Sequence, residues 1–537
     1  GCRIPVPSGL NISEWRKVMH GSDKEQLVDW LEFGWPIGGV EGEAVNEPRA
    51  HSNHKGATEF SQVIEDYVVK GVLADQIIGP FKSNPFNSRT AISPLNTVPK
   101  KDPGARRVIV DLSYPKGMSV NDSIPKDCYL GNSSKLHLPS VDGLIEQIAS
   151  KGPGCSLFKR DLKSAYRQIP VDPGDVGYLG YLFNSHYLFD TVLPMGLRSA
   201  CRCCQYTTDG VTFAMSKHGY SLINYIDDLA GAEIPSKAEG AFDRLGSVLA
   251  SLGLKEAVDK AVSPTTCMTF LGIELDTVSQ TMSIPPDKLK DIKLLLAAWD
   301  EKTTATKQEV QSLVGSLNFL AACVRPGRVF LSRLLNFLRT MDGSSPVALS
   351  NEFKQDVHWW SIFAPSYNGI SIMPLDEWKD PDVVASCDAC LLGCGGWSEG
   401  NYFHSEFPEF IRAQQLHINA LELLTIVIML KLWGSHLKGV RFKVYCDNSA
   451  SVQVLKSGRS RDPFIQACLR EILWLCSIFE CEIRAHHLEG VRNRVPDLLS
   501  RWELSPCHRE QFLQITSGCR KLEFTVNDAL FRFSHQW

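Results

Sequence analysis

Two adjacent carboxylates, Asp227 and Asp228, stand between two apolar runs, residues 220–226 and 229–232. Side by side at the tip of a β-hairpin, they repel each other unless a cation lies between them. A Tyr-x-Asp-Asp run alone also fits a solvated turn. A third acid, Asp161, closes the strand-like run 156–160. Two neighbouring strands ending in Asp can gather the three carboxylates around a pair of Mg2+ ions. In two-metal phosphoryl transfer the ions sit about 3.5–4 Å apart, one on the attacking and one on the leaving oxygen. Mg2+ favours such oxygen ligands, and Mn2+ can take its place.

A second set lies toward the C-terminal side. Asp388 and Asp447 each end a strand-like run, residues 383–387 and 440–446. Glu422 sits inside the apolar helical run 421–430, where an acid is costly unless paired or metal-bound. Asp497 follows a segment containing His486, His487, Gly490 and Asn493. Asp388 and Asp447 also fit strand-end caps, and His487 an inert loop histidine. His486 reads as structural.

In chain order, the first set resembles the palm motifs of reverse transcriptases. The matching residues are Asp161 with Tyr166, the run from Leu193 through Met195 and Gly196 to Gln205, and Tyr225-Ile-Asp-Asp228. Phe270-Leu-Gly272 resembles the primer-grip segment that follows, and Val98-Pro-Lys100-Lys101 through Arg107 to Asp111 the fingers segment. The resemblance implies that Lys100 and Arg107 bind the triphosphate of the incoming nucleotide, as a point charge and a planar fork respectively. A solvated basic turn is their other reading. It implies that Tyr166 is an aromatic gate against a ribose 2′-hydroxyl, rather than a core tyrosine, so the product is DNA. Met195 and Gly196 would line the nucleotide, with Gly196 permitting close backbone approach. Gln205 would be a nucleotide-binding residue or a helix-surface one. Cys201 stands where the family usually has Pro, in the unusual run Cys201-Arg-Cys-Cys204.

Asp388, Glu422, Asp447 and Asp497, with His487 and Asn493 at matching spacing, resemble the ribonuclease H set. The resemblance implies two further Mg2+ ions activating water against an RNA phosphodiester, with His487 assisting proton transfer or product departure. Pro496 replaces the family's usual Ala in the first turn of a helix, where Pro is tolerated.

Residues 79–86, 107–122, 314–328, 417–423 and 496–501 are most similar to the DIRS/Ngaro group of tyrosine-recombinase retrotransposons. The likeness covers roughly residues 45–502. It implies an RNA- and DNA-directed DNA polymerase that also degrades the RNA of RNA–DNA hybrids. The implied partners are an RNA template, a DNA primer, RNA–DNA hybrid, deoxynucleoside triphosphates and other proteins of the element, with no membrane. The competing reading is a decayed or co-opted copy that binds nucleic acid without catalysis; seven intact acids argue against decay.

These residues need elements to position them. A chain of 537 residues suggests about three to four domains. An apolar share of 44% and a charged share of 22% are those of globular protein. The net charge of −4 excludes a small basic packaging protein and leaves a nucleic-acid enzyme open. The expected class is α+β multidomain: a right-hand polymerase with fingers, palm and thumb, then an α/β ribonuclease H-like domain. The expected divisions are 1–75, an extension of unreadable role; 76–285, fingers and palm; 286–345, a helical thumb; 346–382, a connector; 383–503, ribonuclease H-like; and 504–537, a tail. The seventeen cysteines read as buried reduced thiols. Cys387 and Cys390 lack the second pair that a zinc site wants. The chain starts without Met or a signal-like apolar core and reads as a piece of a longer polyprotein or reading frame. The run 421–430 is too short to span a membrane. The expected location is intracellular, cytoplasmic or nuclear, and not secreted.

Overall fold

The computed structural model describes residues 3–38, 51–86, 90–100, 104–133, 136–324, 327, 330–343, 345–367, 369–373, 382–457 and 460–537. Most of the glycine-rich stretch after Gly38, Lys101, Pro326, Arg328 and the end of the 346–382 segment lie outside the described residues. The chain forms two compact units, Gly1–Met268 and Thr269–Trp537. Both mix helices with sheets, as the α+β expectation required.

The first unit is organised by short strands: β1 (Ile77–Phe81), β2 (Leu95–Pro99), β3 (Arg106–Val110), β4 (Ser156–Asp161), β5 (Gly180–Phe183), β6 (His186–Asp190), β7 (Ile223–Tyr225), β8 (Asp228–Glu233) and β9 (Val262–Thr265). Strands β9-β4-β8-β7, in that order, form a four-stranded antiparallel sheet. Strands β1-β6-β5 form a second sheet, and β2-β3 a two-stranded hairpin. Leu157, Phe158, Leu229 and Ala230 are buried between the main sheet and its helices. Those helices are α3 (Val141–Lys151), α4 (Ala200–Ser216) and α5 (Pro235–Ser251). Gly143 in α3 allows this closeness, because a Cβ there would lie 2.0 Å from Ile223 Cδ1.

The N-terminal residues are part of this core. Helices α1 (Ile12–Met19) and α2 (Glu25–Phe33) pack on α4. Trp15, Leu27 and Leu31 are fully buried, and the Trp15 indole N–H donates to the Leu252 carbonyl at 3.0 Å. At Gly210 of α4 a Cβ would sit 2.6 Å from Leu27 and 2.8 Å from Trp15.

The second unit begins with a small sheet, β10 (Ile273–Asp276), β11 (Thr281–Ser283) and β12 (Ile370–Ile372), and four helices. These are α6 (Pro286–Asp300), α7 (Lys307–Cys323), α8 (Ser332–Thr340) and α9 (Asn351–Ser366). The segment expected to be a connector supplies α9 and β12. Trp359 of α9 stacks on Phe330 at 3.9 Å, and β12 pairs with β11.

A six-stranded mixed sheet completes the unit. Strands β13 (Val383–Ala389), β14 (Gly393–Ser398) and β15 (Asn401–Glu406) are joined antiparallel. Strand β16 (Arg441–Cys446) runs parallel to β13, and β17 (Glu482–His487) parallel to β16. At the other edge β18 (Leu522–Glu523) lies parallel to β15. Helix α10 (Ile418–Trp433) crosses from β15 to β16, α11 (Ser449–Ser457) follows β16, and α10 packs against α12 (Pro463–Ile478). With its helical continuation to His436, α10 is long and apolar enough to cross a membrane, contrary to the length inferred from residues 421–430. Its apolar side chains are instead buried against the sheet and α12.

Two polar clusters tie this unit together. Arg470 of α12 pairs with Asp356 of α9 at 3.0 Å, and Arg333 approaches the same oxygen at 3.4 Å. Glu471, fully buried, pairs with Lys431 and accepts from Ser534 and from the Trp537 indole.

Trp15→Ala should therefore destabilise the first unit by about 3–5 kcal/mol, through the lost burial and the cavity left behind. Denaturant unfolding followed by circular dichroism measures this; a change under 1 kcal/mol would mean that α1 does not support the core.

Candidate active sites

In the first unit, antiparallel pairing does the positioning. Asp228 opens β8 directly opposite Asp161, the last residue of β4. Asp227 lies in the turn between β7 and β8. Asp161 is 5% exposed and its Oδ1 is buried without a hydrogen-bond partner. Its Oδ2 accepts from Lys260 Nζ at 2.7 Å. Burial, and then the charge of Asp161, raises both Asp227 and Asp228 above the usual carboxylate range. The hydrogen bond to Asp161 raises Lys260. An orphaned buried carboxylate oxygen beside two acids that resist ionisation fits a divalent cation with hard oxygen ligands.

The turn itself is strained. Ile226 has φ +57, a left-handed conformation unfavourable for a β-branched side chain. Helix α4 holds it there. Gln205 Oε1 accepts from the Ile226 N–H at 2.8 Å, and the Thr208 hydroxyl and Cys204 thiol donate to the Ile226 carbonyl at 2.9 and 3.7 Å. Gln205 is 4% exposed, and its amide N–H groups go to the Asn224 carbonyl and to Asp209. Gln205 thus braces the hairpin, which its reading as a surface or nucleotide-binding residue missed. The pattern of polar residues at 204, 205 and 208 on one helix face was the available signal.

Tyr166 lies on a tight turn, Ala165–Gln168, five residues beyond Asp161. It is half-buried, and burial, with Cys201, Cys204 and Asp227 among the groups around it, pushes its hydroxyl up. Met195 is 37% exposed. Gly196 has φ +101, and a Cβ there would lie 3.1 Å from the Val110 carbonyl, so glycine brings this loop against β3. On β3 the two arginines diverge. Arg106 is held by Thr97 and by the Phe60 ring, 3.7 Å away, whereas Arg107 is exposed. Lys100, also exposed, closes the β2-β3 hairpin through its backbone N–H.

In the second unit, Asp388, Glu422 and Asp447 each present an oxygen within 4.8 Å of the others. Asp388 and Asp447 stand at the ends of the parallel strands β13 and β16, with Glu422 behind them on α10. Asp388 accepts from the Ser500 hydroxyl at 2.5 Å. Glu422 accepts from the Ala389 N–H at 3.2 Å and from the Cys446 thiol at 3.5 Å. Burial, reinforced by Asp447 and Asp497, pushes Asp388 up to about 7. Burial, with Cys446, Asp388 and Asp447, pushes Glu422 up to about 11. Three such acids cannot all ionise without compensating positive charge, and their oxygens fit Mg2+ or Mn2+.

Asp497 lies in the first turn of α13 (Arg494–Ser500) and pairs with Arg501 at 2.8 Å. Pro496 occupies the same turn, where no backbone donor is needed. His487 is exposed, and its Nε2 bonds the Asp447 carbonyl at 3.0 Å. Asn493, 1% exposed, donates to the Cys387 carbonyl at 2.9 Å and so anchors the start of α13 to β13. Lys260 is a charged residue near the first site that sequence reading did not single out; only the return of the chain after α5 brings it there.

The raised acids of the second unit make a stability prediction. Asp388 and Glu422 bind protons more tightly folded than unfolded. Their contribution is complete below about pH 4 and is lost as pH rises through about 7 for Asp388, with Glu422 continuing the loss toward about 11. In a chelator, the second unit's Tm should fall by several degrees between pH 5 and 8. Mg2+ should reverse the fall at pH 8, and Asp388→Asn should flatten it. Calorimetry would contradict this with a pH-independent Tm.

No family model matches the chain. Among curated proteins it is similar to the enzymatic polyprotein of Figwort mosaic virus (strain DxS), 22% identical over 413 residues, covering 72% of this chain and 56% of that protein. It is also similar to the Transposon Tf2-3 polyprotein of Schizosaccharomyces pombe, 26% identical over 294 residues, covering 53% of this chain and 18% of that one. The chain thus spans less than two thirds of either relative. Solved structures similar to it include the foamy viral protease-reverse transcriptase dRH in complex with double-stranded DNA, at 17% identity and TM-score 0.48, covering 91% of this chain and 83% of that one. The foamy viral protease-reverse transcriptase in complex with RNA/DNA hybrid shows 16% identity and TM-score 0.43, covering 90% and 64%. In sequence, the chain is similar to a viral enzymatic polyprotein and to transposon polyproteins.

Proposed function

We propose that this chain is the RNA- and DNA-directed DNA polymerase of a retroelement, and that its second unit degrades the RNA strand of RNA–DNA hybrids. The observation that carries the reading is the pairing of Asp161 with Asp228 across β4 and β8, with Asp227 beside them and a buried oxygen of Asp161 unsatisfied. Similarity to retroelement polyproteins supports it.

In this reading, residues 76–285 supply fingers and palm, 286–345 a thumb, and 383–503 the ribonuclease H-like part. Asp161, Asp227 and Asp228 hold two Mg2+ ions in the first site; Asp388, Glu422, Asp447 and Asp497 hold two in the second. The bound ions would supply charge stabilisation to the attacking and leaving oxygens. Lys100 and Arg107 bind the triphosphate of a deoxynucleotide, while Met195 and Gly196 line the nucleotide. The Tyr166 ring excludes a ribose 2′-hydroxyl. Gln205 keeps the carboxylate hairpin in place. In the second site His487, exposed beside Asp447, assists proton transfer or product departure. Primer–template and hybrid are gripped mainly through phosphate and sugar, so binding weakens with salt. The element is of the DIRS/Ngaro kind, and the protein works inside the cell.

Primer extension on an RNA template with Mg2+ and deoxynucleotides tests the first site. The wild-type chain should extend, and Asp227→Asn should fall by more than the ~10–100-fold typical of an outer-shell change. Cleavage of a labelled RNA–DNA hybrid tests the second, with a similar loss in Asp447→Asn and extension retained. A folded wild type that binds primer–template and extends nothing would favour a co-opted, non-catalytic copy.

A further inference from the structure

Among the described residues, two groups of three metal-ligating side chains have donor atoms within 4.8 Å of one another, and both include Glu422. One is the all-oxygen group of Asp388, Glu422 and Asp447 described above. The other is Cys387, Glu422 and Cys446, two sulfurs and an oxygen. Sequence spacing offered Cys390 as the companion of Cys387; the sheet supplies Cys446 instead. Cys387 of β13 stands directly opposite Cys446 of β16 in the parallel ladder. Residues so paired put their side chains on the same face of a sheet. Glu422 reaches the pair from α10, its Oε2 3.5 Å from the Cys446 Sγ.

The two groups suit different ions. Carboxylate oxygens alone suit Mg2+. Thiolates are soft ligands and select Zn2+ or Cd2+ over Mg2+. Zn2+ takes sulfur at about 2.3 Å and oxygen at about 2.0–2.2 Å, so its tetrahedral ligands lie roughly 3.5–4 Å apart. The spacing of Cys446 and Glu422 already meets this. All three residues are buried, with Glu422 at 2% exposure and both cysteines at 0%. Binding would release the thiol protons to solvent, because only thiolates ligate.

We propose that Cys387, Cys446 and Glu422 form a binding site for a thiophilic divalent cation, Zn2+ or Cd2+, and that its occupancy opposes Mg2+ at Asp388, Glu422 and Asp447. Glu422 is common to both groups. A thiophilic ion there draws on the negative charge that Mg2+ needs and sets a like charge beside it. Binding rests on these three residues alone; the effect on RNA cleavage rests on the ribonuclease H reading given above.

The test uses the full chain, reduced and stripped of metal, loaded with one equivalent of Zn2+. X-ray absorption on the wild type should find two sulfurs in the ligand shell, completed by oxygen. A shell without sulfur, or of sulfur alone, overturns the site without recourse to any variant. Competition with a chromophoric chelator should show Zn2+ affinity at least about 100-fold lower in Cys387→Ala, beyond the loss of an outer-shell partner. Cys507→Ala, at an exposed cysteine outside the group, should bind as the wild type does. Equal affinity in Cys387→Ala and wild type overturns the site. Mg2+ should weaken Zn2+ binding, and Zn2+ should stop hybrid cleavage in Mg2+. Zn2+ binding indifferent to Mg2+, or cleavage unchanged by bound Zn2+, overturns the opposition of the two ions. A chain that binds Zn2+ through Cys387 but cleaves no hybrid overturns the ribonuclease reading and leaves the site standing.

Discussion

Carboxylates gathered where water is scarce repel one another, and each resists ionisation until positive charge arrives. This constraint acts in both units. In the first, it raises Asp227 and Asp228 and draws Lys260 onto Asp161. In the second, it pushes Glu422 and Asp388 far above the usual carboxylate range. Holding such groups together requires a scaffold that does not yield. Both sites use the ends of adjacent hydrogen-bonded strands, where the ladder fixes the spacing of successive residues. Both also place a helix behind the strands whose polar side chains secure the acids.

The two helices accomplish this differently. In α4, side-chain hydrogen bonds from Gln205, Thr208 and Cys204 reach the backbone of the neighbouring turn and hold Ile226 in a conformation its side chain disfavours. In α10, the helix donates an acid itself, and Glu422 is met by the Ala389 N–H and the Cys446 thiol. One site therefore stores backbone strain near its acids, while the other stores the electrostatic cost of a buried carboxyl.

Much of this was legible in the sequence because it is local. A strand-like run that ends in Asp, a doubled acid in a turn and an acid inside an apolar helix each show in a short window of residues. Alternation along β3 separates exposed Arg107 from packed Arg106. What could not be read depends on distant returns of the chain. Lys260 meets Asp161 across 99 positions. The side chain of Gln205 looks like that of any helix-surface glutamine until its partners on the hairpin are known. The burial of Trp15 depends on a cavity that Gly210 opens, and the short β18 strand becomes a strand only because β15 has a free edge to pair with.

The cluster of Arg470, Asp356 and Arg333 has a consequence for modularity. Asp356 is 1% exposed and is pushed up to about 6 by burial, even with Arg470 and Arg333 beside it. It belongs to the helical half of the second unit, whereas Arg470 belongs to the half built on the six-stranded sheet. A sheet half carrying an apolar residue in place of Arg470 would leave the buried Asp356 with only the more distant Arg333 of its own half, at 3.4 Å, a loss that such cores tolerate poorly. The two halves are therefore matched as a pair, and recombination between related chains should preserve them together more readily than it joins halves of different origin.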